Sequence, residues 1–126
     1  VKTLFIILDA YVGLIAHDFF MYRHDLAALH CQIKNFPLSR TRESAAATEL
    51  ASRALDVACA FYPKRALCLQ RSAVLVKMLR RRGLPAKMVI GAQKLPFKAH
   101  AWVEVEGEII NDRLASREKF LVLEVC

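Results

Sequence analysis

Acidic residues are missing from a long stretch of this chain. Between Val57 and Val103 there is no Asp or Glu, while Lys and Arg recur from Lys64 to Lys98. The 126-residue chain carries a formal charge of +7, and the excess sits in that half. Such a field draws acidic partners and speeds their encounter; a solvated basic surface accounts for it equally well. The run Arg80-Arg81-Arg82 comes with no interleaved aromatics and no nucleic-acid-binding motif, which argues against a nucleic-acid partner. CxxC pairs are also missing. Four scattered cysteines, Cys31, Cys59, Cys68 and Cys126, are too sparse for a disulfide scaffold and read as a reduced, cytoplasmic thiol set. His17, His24 and Cys31 are spaced by seven, without the i,i+4 pair of a metal site, so neither a metal nor another cofactor is expected. No internal repeat or low-complexity segment occurs. The length suits one domain over residues 1–126, with a helical segment (1–45) ahead of a core (46–126), and an apolar share of 56% is ample for that core.

The first twenty residues are rich in Leu, Ile, Phe and Val. A secretory signal would place its charges first and a small-residue cleavage site after the apolar run. A membrane span needs about twenty mostly apolar residues, and Asp9, His17 and Asp18 interrupt this one. Leu4, Leu8, Tyr11, Ile15 and Phe19 recur at helical spacing, so the expectation is an amphipathic helix with that face inward and no transmembrane span, with peripheral membrane contact left open. It runs toward Cys31, with a break near Gly13 or His24. Pro37 ends this region, and Thr41 and Ser44 are candidate caps for the next helix. That helix carries Ala47, Leu50, Ala51, Ala54, Ala58 and Phe61 on one face, Cys59 among its small core residues, and closes at Tyr62-Pro63. A third helix opens at Cys68 and stops at Gly83, a residue suited to the left-handed region. The period then changes to two: Ala86–Ala92, Lys98–Val105, Glu108–Asp112 and Phe120–Val125 read as strands. Helices followed by strands imply an α+β fold with an antiparallel sheet.

Cys68, His100 and Asp112 stand in the chain order of a nucleophile, a base and an orienting carboxylate. A helix N-terminus favours the reactive thiolate, and the first-turn N–H groups of Cys68 and Leu69 point toward an oxyanion formed there. A buried cysteine filling space is the plainer alternative. Alternation sets Lys98, His100, Trp102 and Glu104 on one strand face, with the small Ala99 and Ala101 on the other. A three-residue Val105-Glu106-Gly107 loop would put Glu104 opposite Glu108 and His100 opposite Asp112; a two-residue Glu106-Gly107 turn would shift that register. Asp112 also fits a plain strand-ending turn. Arg71 and Ser72, one turn into the cysteine helix, either support the site or pack the helix.

Cys68-Leu-Gln-Arg71-Ser72, Leu79-Arg80-Arg81-Arg82-Gly83, Gly91, Phe97 and Ala99-His100-Ala101-Trp102-Val103-Glu104, with Gly107 and Asp112, resemble the transglutaminase-like cysteine peptidases of lasso-peptide biosynthesis, the leader peptidases called the B protein or its C-terminal part. The resemblance is sharp from Ala66 to Asp112 and loose before it. It implies a transglutaminase-like or papain-like core, with the nucleophile helix packed on a small antiparallel sheet. It also implies removal of the leader from a ribosomally made precursor peptide through a Cys68 thioester, with His100 as base and acid, Asp112 fixing the ring, and Arg71, Ser72 and Trp102 in support. The implied partners are the precursor's leader region, a separate small leader-binding protein, since no strand-rich module precedes Cys68, and an ATP-dependent macrolactam cyclase. A transglutaminase-like acyltransferase and a non-catalytic peptide-binding subunit are the competing readings. Nothing in the sequence assigns Tyr62, six residues before Cys68, to an oxyanion hole.

Overall fold

The structure, a computed structural model, describes residues 2–40, 46–94, 97–110 and 121–126. Among the described residues four helices precede four strands: α1 (Lys2–Arg23), α2 (Leu26–Lys34), α3 (Ala46–Phe61) and α4 (Cys68–Arg81), then β1 (Ala86–Lys94), β2 (Phe97–Val105), β3 (Glu108–Ile109) and β4 (Leu121–Val125). The strands form one antiparallel sheet in the order β3-β2-β1-β4. This is the α+β architecture expected from the order of the periodicities.

The long N-terminal helical stretch breaks at His24, where Asp25 caps α2 by accepting from the Ala28 N–H at 2.9 Å. Gly13 does not break α1. A Cβ there would stand 2.8 Å from Val74 Cγ1, so the glycine serves the close approach of α1 to α4. The inward face of α1 also differs from expectation. Ile6, Ala10, Leu14 and His17 are buried, whereas Leu4, Leu8, Ile15 and Phe19 face outward and Tyr11 lies at the boundary. α1 is apolar nearly all round, so spacing alone offers two candidate faces, and the small residues Ala10 and Gly13 select the one that approaches α3 and α4 most closely. Thr3–Arg23 is long and apolar enough to cross a membrane by length and composition. On α3, Ala51, Ala54 and Ala58 are buried as expected, but Phe61 is 76% exposed. Thr41 and Ser44 lie outside the described residues.

α4 is the central helix. Ala73, Leu75, Val76, Met78 and Leu79 are fully buried, and its C-terminus closes with the Leu84 N–H bonded to the Leu79 carbonyl and the Gly83 N–H to that of Arg80, Gly83 standing at φ 79°. Arg80 is not a solvated last-turn cation. It is buried, donating from Nε to Ala86 O (2.9 Å), from Nη1 to Ile33 O and from Nη2 to Cys126 O (2.7 Å). One guanidinium thus ties α2, β1 and the end of β4 to α4.

The sheet has two unlike faces. Met88 and Val103, paired across β1 and β2, join the helical core. Val89 and Trp102 form a separate cluster on the other face, flanked by Ile109 and Val122.

Candidate active site

Cys68 is the first residue of α4. Leu67 occupies the cap position in an extended conformation with no side-chain cap bond, so its side chain leaves the first-turn N–H groups uncapped. The first intrahelical bond runs from the Arg71 N–H to the Leu67 carbonyl, 3.0 Å. The thiol lines an open cleft of about 550 Å³ together with Asp56, Cys59, Ala66, Leu67 and two cations, Arg65 and Arg71. Arg71 pairs with Asp56 at this cleft and so joins α3 to the first turn of α4. Ser72 is completely buried beneath that turn. Burial pushes the Cys59 thiol above its ordinary value, against the opposing pull of Arg71. Cys59 therefore lines the cleft as a neutral thiol.

A polar cluster of residues from α1, from α4 and from the link after α3 braces the start of α4. Gln70 is buried and donates to the Leu14 carbonyl at 3.0 Å. The Tyr62 hydroxyl donates to Asp18 and lies 3.3 Å from the same carbonyl. Lys64 meets the other Asp18 oxygen at 2.6 Å. Burial opposes ionisation of Asp18, but the hydrogen bonds from Lys64, Tyr62 and Gln70 outweigh it and hold the carboxyl below its usual range. Burial and the Asp18 carboxylate push Tyr62 up to about 12. The Tyr62 proton is thus held by Asp18.

His100 sits near the start of β2, paired with Gly91. His100 does not share the face of the sheet on which α4 packs. The His100 ring stacks toward Trp102, with centroids 6.1 Å apart, and Trp102 belongs to the face turned away from α4. Among the described residues that line the Cys68 cleft, His100 is absent. Trp102 is fully buried and donates from Nε1 to Glu104 at 2.8 Å, which fixes the alternation His100, Trp102, Glu104 read from the sequence.

The β2–β3 connection departs from the expected loop. Glu104 pairs with Ile109 and Val105 with Glu108, across a two-residue Glu106-Gly107 turn with both residues at positive φ, 52° and 85°. The register that would have set Asp112 opposite His100 is not formed. Asp112 itself lies outside the described residues. The observed register avoids facing Glu104 with Glu108 and brings Ile109 onto Trp102 and Val89.

His17, His24 and Cys31 do not converge. His17 is buried on α1, His24 is in the link to α2 with Nδ1 against the Phe20 carbonyl, and Cys31 is exposed on α2. No group of three metal-ligating side chains occurs among the described residues. Asp56 and Arg65 were not foreseen as cleft residues. Asp56 flanks Cys68 because α3 packs beside the start of α4, a relation with no local sequence signal, whereas Arg65 lies in the short link just before Cys68.

The family model described as the transglutaminase-like superfamily matches residues 16–125. The microcin J25-processing protein McjB of Escherichia coli is 43% identical over 56 residues, a segment that covers 44% of this chain. That segment is 27% of McjB, so the match spans about a quarter of that relative. No solved structure matches this chain. Helices packed on a small antiparallel sheet agree with the family match. The chain belongs to the transglutaminase-like superfamily.

Proposed function

We propose that this chain is a cysteine peptidase that removes the leader from a ribosomally made lasso-peptide precursor in the cytoplasm. Support comes from the superfamily match, the segment shared with a microcin-processing protein, and the sequence blocks around Cys68 and His100. The observation that carries the reading is Cys68 at the uncapped first position of α4, open to a cleft. In this reading the Cys68 thiolate attacks the scissile carbonyl carbon, and first-turn N–H groups, including that of Leu69, receive the oxyanion. The C–N bond breaks as His100 passes a proton to the leaving amine, which leaves as the core peptide. Water then hydrolyses the thioester and releases the leader. Asp112 fixes the imidazole, and Arg71, Ser72 and Trp102 hold the supporting elements. The chemistry requires the imidazole to reach the sulfur's side of β2. A separate leader-binding protein presents the precursor, and an ATP-dependent cyclase consumes the freed core.

The test is to incubate the protein with precursor and leader-binding partner and follow product masses. Cleavage adds one water across one peptide bond. Cys68→Ala and His100→Ala should each abolish it with an unchanged circular dichroism spectrum, and His100→Ala should slow alkylation of Cys68. The superfamily's acyl-transfer chemistry predicts a joined product instead. Full processing by Cys68→Ala would assign the chain a non-catalytic, peptide-binding role.

A further inference from the structure

One side of α1 is left over by the fold. Leu4, Phe5, Leu8, Val12, Ile15 and Phe19 are each between 49% and 67% exposed, and Tyr22 is 88% exposed. At about 100° per residue they fall in one stripe roughly 100° wide, opposite the buried side of the helix. The 22 residues of α1 make this stripe roughly 33 Å long. Each side chain leaves on the order of 100 Å² open, so the whole exceeds the roughly 300–600 Å² of the largest apolar patch on an ordinary monomer.

Cations border the stripe on both sides. On one side Lys64 pairs with Asp18 at 2.6 Å and cancels its charge. On the other, Asp9 is engaged by Arg81 at 3.3 Å and Arg82 at 3.5 Å, and the Arg23 guanidinium lies 5.3 Å from the Phe19 ring centre, which leaves that border cationic. Both acids beside the stripe are thus neutralised, and the chain as a whole is at +7. Like charge of that size opposes pairing with a second copy, whereas headgroup phosphates complement it. The helix cannot cross a bilayer while Ile6, Ala10 and Leu14 remain packed in the core. Its free half has the form of a helix lying in the interface: an apolar stripe with aromatics, bounded by Lys and Arg. We propose that the exposed face of α1 seats the protein in-plane on an anionic lipid surface.

The experiment is flotation of the intact protein with vesicles of phosphatidylcholine alone and of phosphatidylcholine with an equal share of phosphatidylglycerol. Binding to the anionic vesicles should exceed binding to the neutral ones at least tenfold and fall at least tenfold in about 0.5 M salt, where exposed charges are largely screened. Leu8→Glu and Phe19→Glu, both at exposed positions, should each reduce it at least tenfold without changing the unfolding midpoint. Phe19→Trp should shift its emission to the blue with anionic vesicles, the native Trp102 being buried and constant. No flotation with either vesicle, or flotation indifferent to Leu8→Glu, overturns the proposal. So does a dimer in light scattering that Leu8→Glu converts to monomer without any vesicle binding, which would assign the stripe to a second copy.

Discussion

Gly13 and Val74 define the contact between α1 and α4: a Cβ on the glycine would lie 2.8 Å from Val74 Cγ1. Val74 is buried and has little room to yield. Alanine would gain up to about 1 kcal/mol of helix propensity, but overpacking a close contact costs about 1–3 kcal/mol. Gly13→Ala should therefore lower stability by about 1–2 kcal/mol in urea denaturation. Combined with Val74→Ala, which opens space, the loss should be smaller than the sum of the singles by about 0.5 kcal/mol or more. Simple additivity would refute a steric origin.

The β2–β3 turn isolates a backbone effect. Gly107 stands at φ 85° with nothing within 4 Å of where a Cβ would be. Gly107→Ala meets no neighbour, so its cost is the left-handed penalty alone, about 1–2 kcal/mol. Thermal unfolding should show that loss, and the denaturant slope should stay unchanged.

His17 should make stability fall with acid. It is 6% exposed, and its Nδ1 has no hydrogen-bond partner among the described residues. Burial, followed by the charge of Lys77, lowers its pKa below 6.5. The unfolded chain then binds the proton first as pH falls, so stability is full above about 6.5 and declines below it until the folded form also titrates. Asp18, lowered from 3.8, adds a second loss below that value. His17→Leu removes an unsatisfied polar group and should raise stability at pH 7.5 by about 1 kcal/mol. It should also flatten the slope between pH 7 and 5. An unchanged slope would remove His17 from the account.

The four thiols should differ in reactivity. Cys31 is exposed, Cys68 opens on the cleft, Cys126 is buried, and burial raises Cys59 above 9.0. Iodoacetamide at pH 7.5 should modify Cys31 and Cys68 well before Cys59 and Cys126, as read by peptide mass mapping. Cys59 should catch up only in strongly alkaline solution. Cys59 reacting ahead of Cys68 at pH 7.5 would contradict this order of environments.

Much of the scaffold was legible because its signals are local. Gly83 after an apolar-periodic run, Cys68 at the run's start, and the change of period after Gly83 are read within a few residues of themselves. The shared face of His100, Trp102 and Glu104 follows from strand alternation alone. The hairpin register was missed because two turns compete there. Loop preference favoured three residues, with only Gly107 left-handed. Burial of Ile109 on Trp102 and separation of Glu104 from Glu108 favoured two, with Glu106 forced to φ 52°.

Neighbours along the chain were enough to set the order of helices and strands, the cysteine at the mouth of α4 and the basic character of the second half. Folding in three dimensions was needed to settle which side of α1 faces inward, and to make Arg80 a buried tie among four carbonyls, those of Ile33, Phe36, Ala86 and Cys126. It also set Asp56 and Arg71 together beside Cys68, and it turned the strand face shared by His100 and Trp102 away from α4. Those outcomes depend on how closely backbones approach and on which unpaired carbonyls and charges must be satisfied once they do. Neither quantity exists until the helices are packed on the sheet.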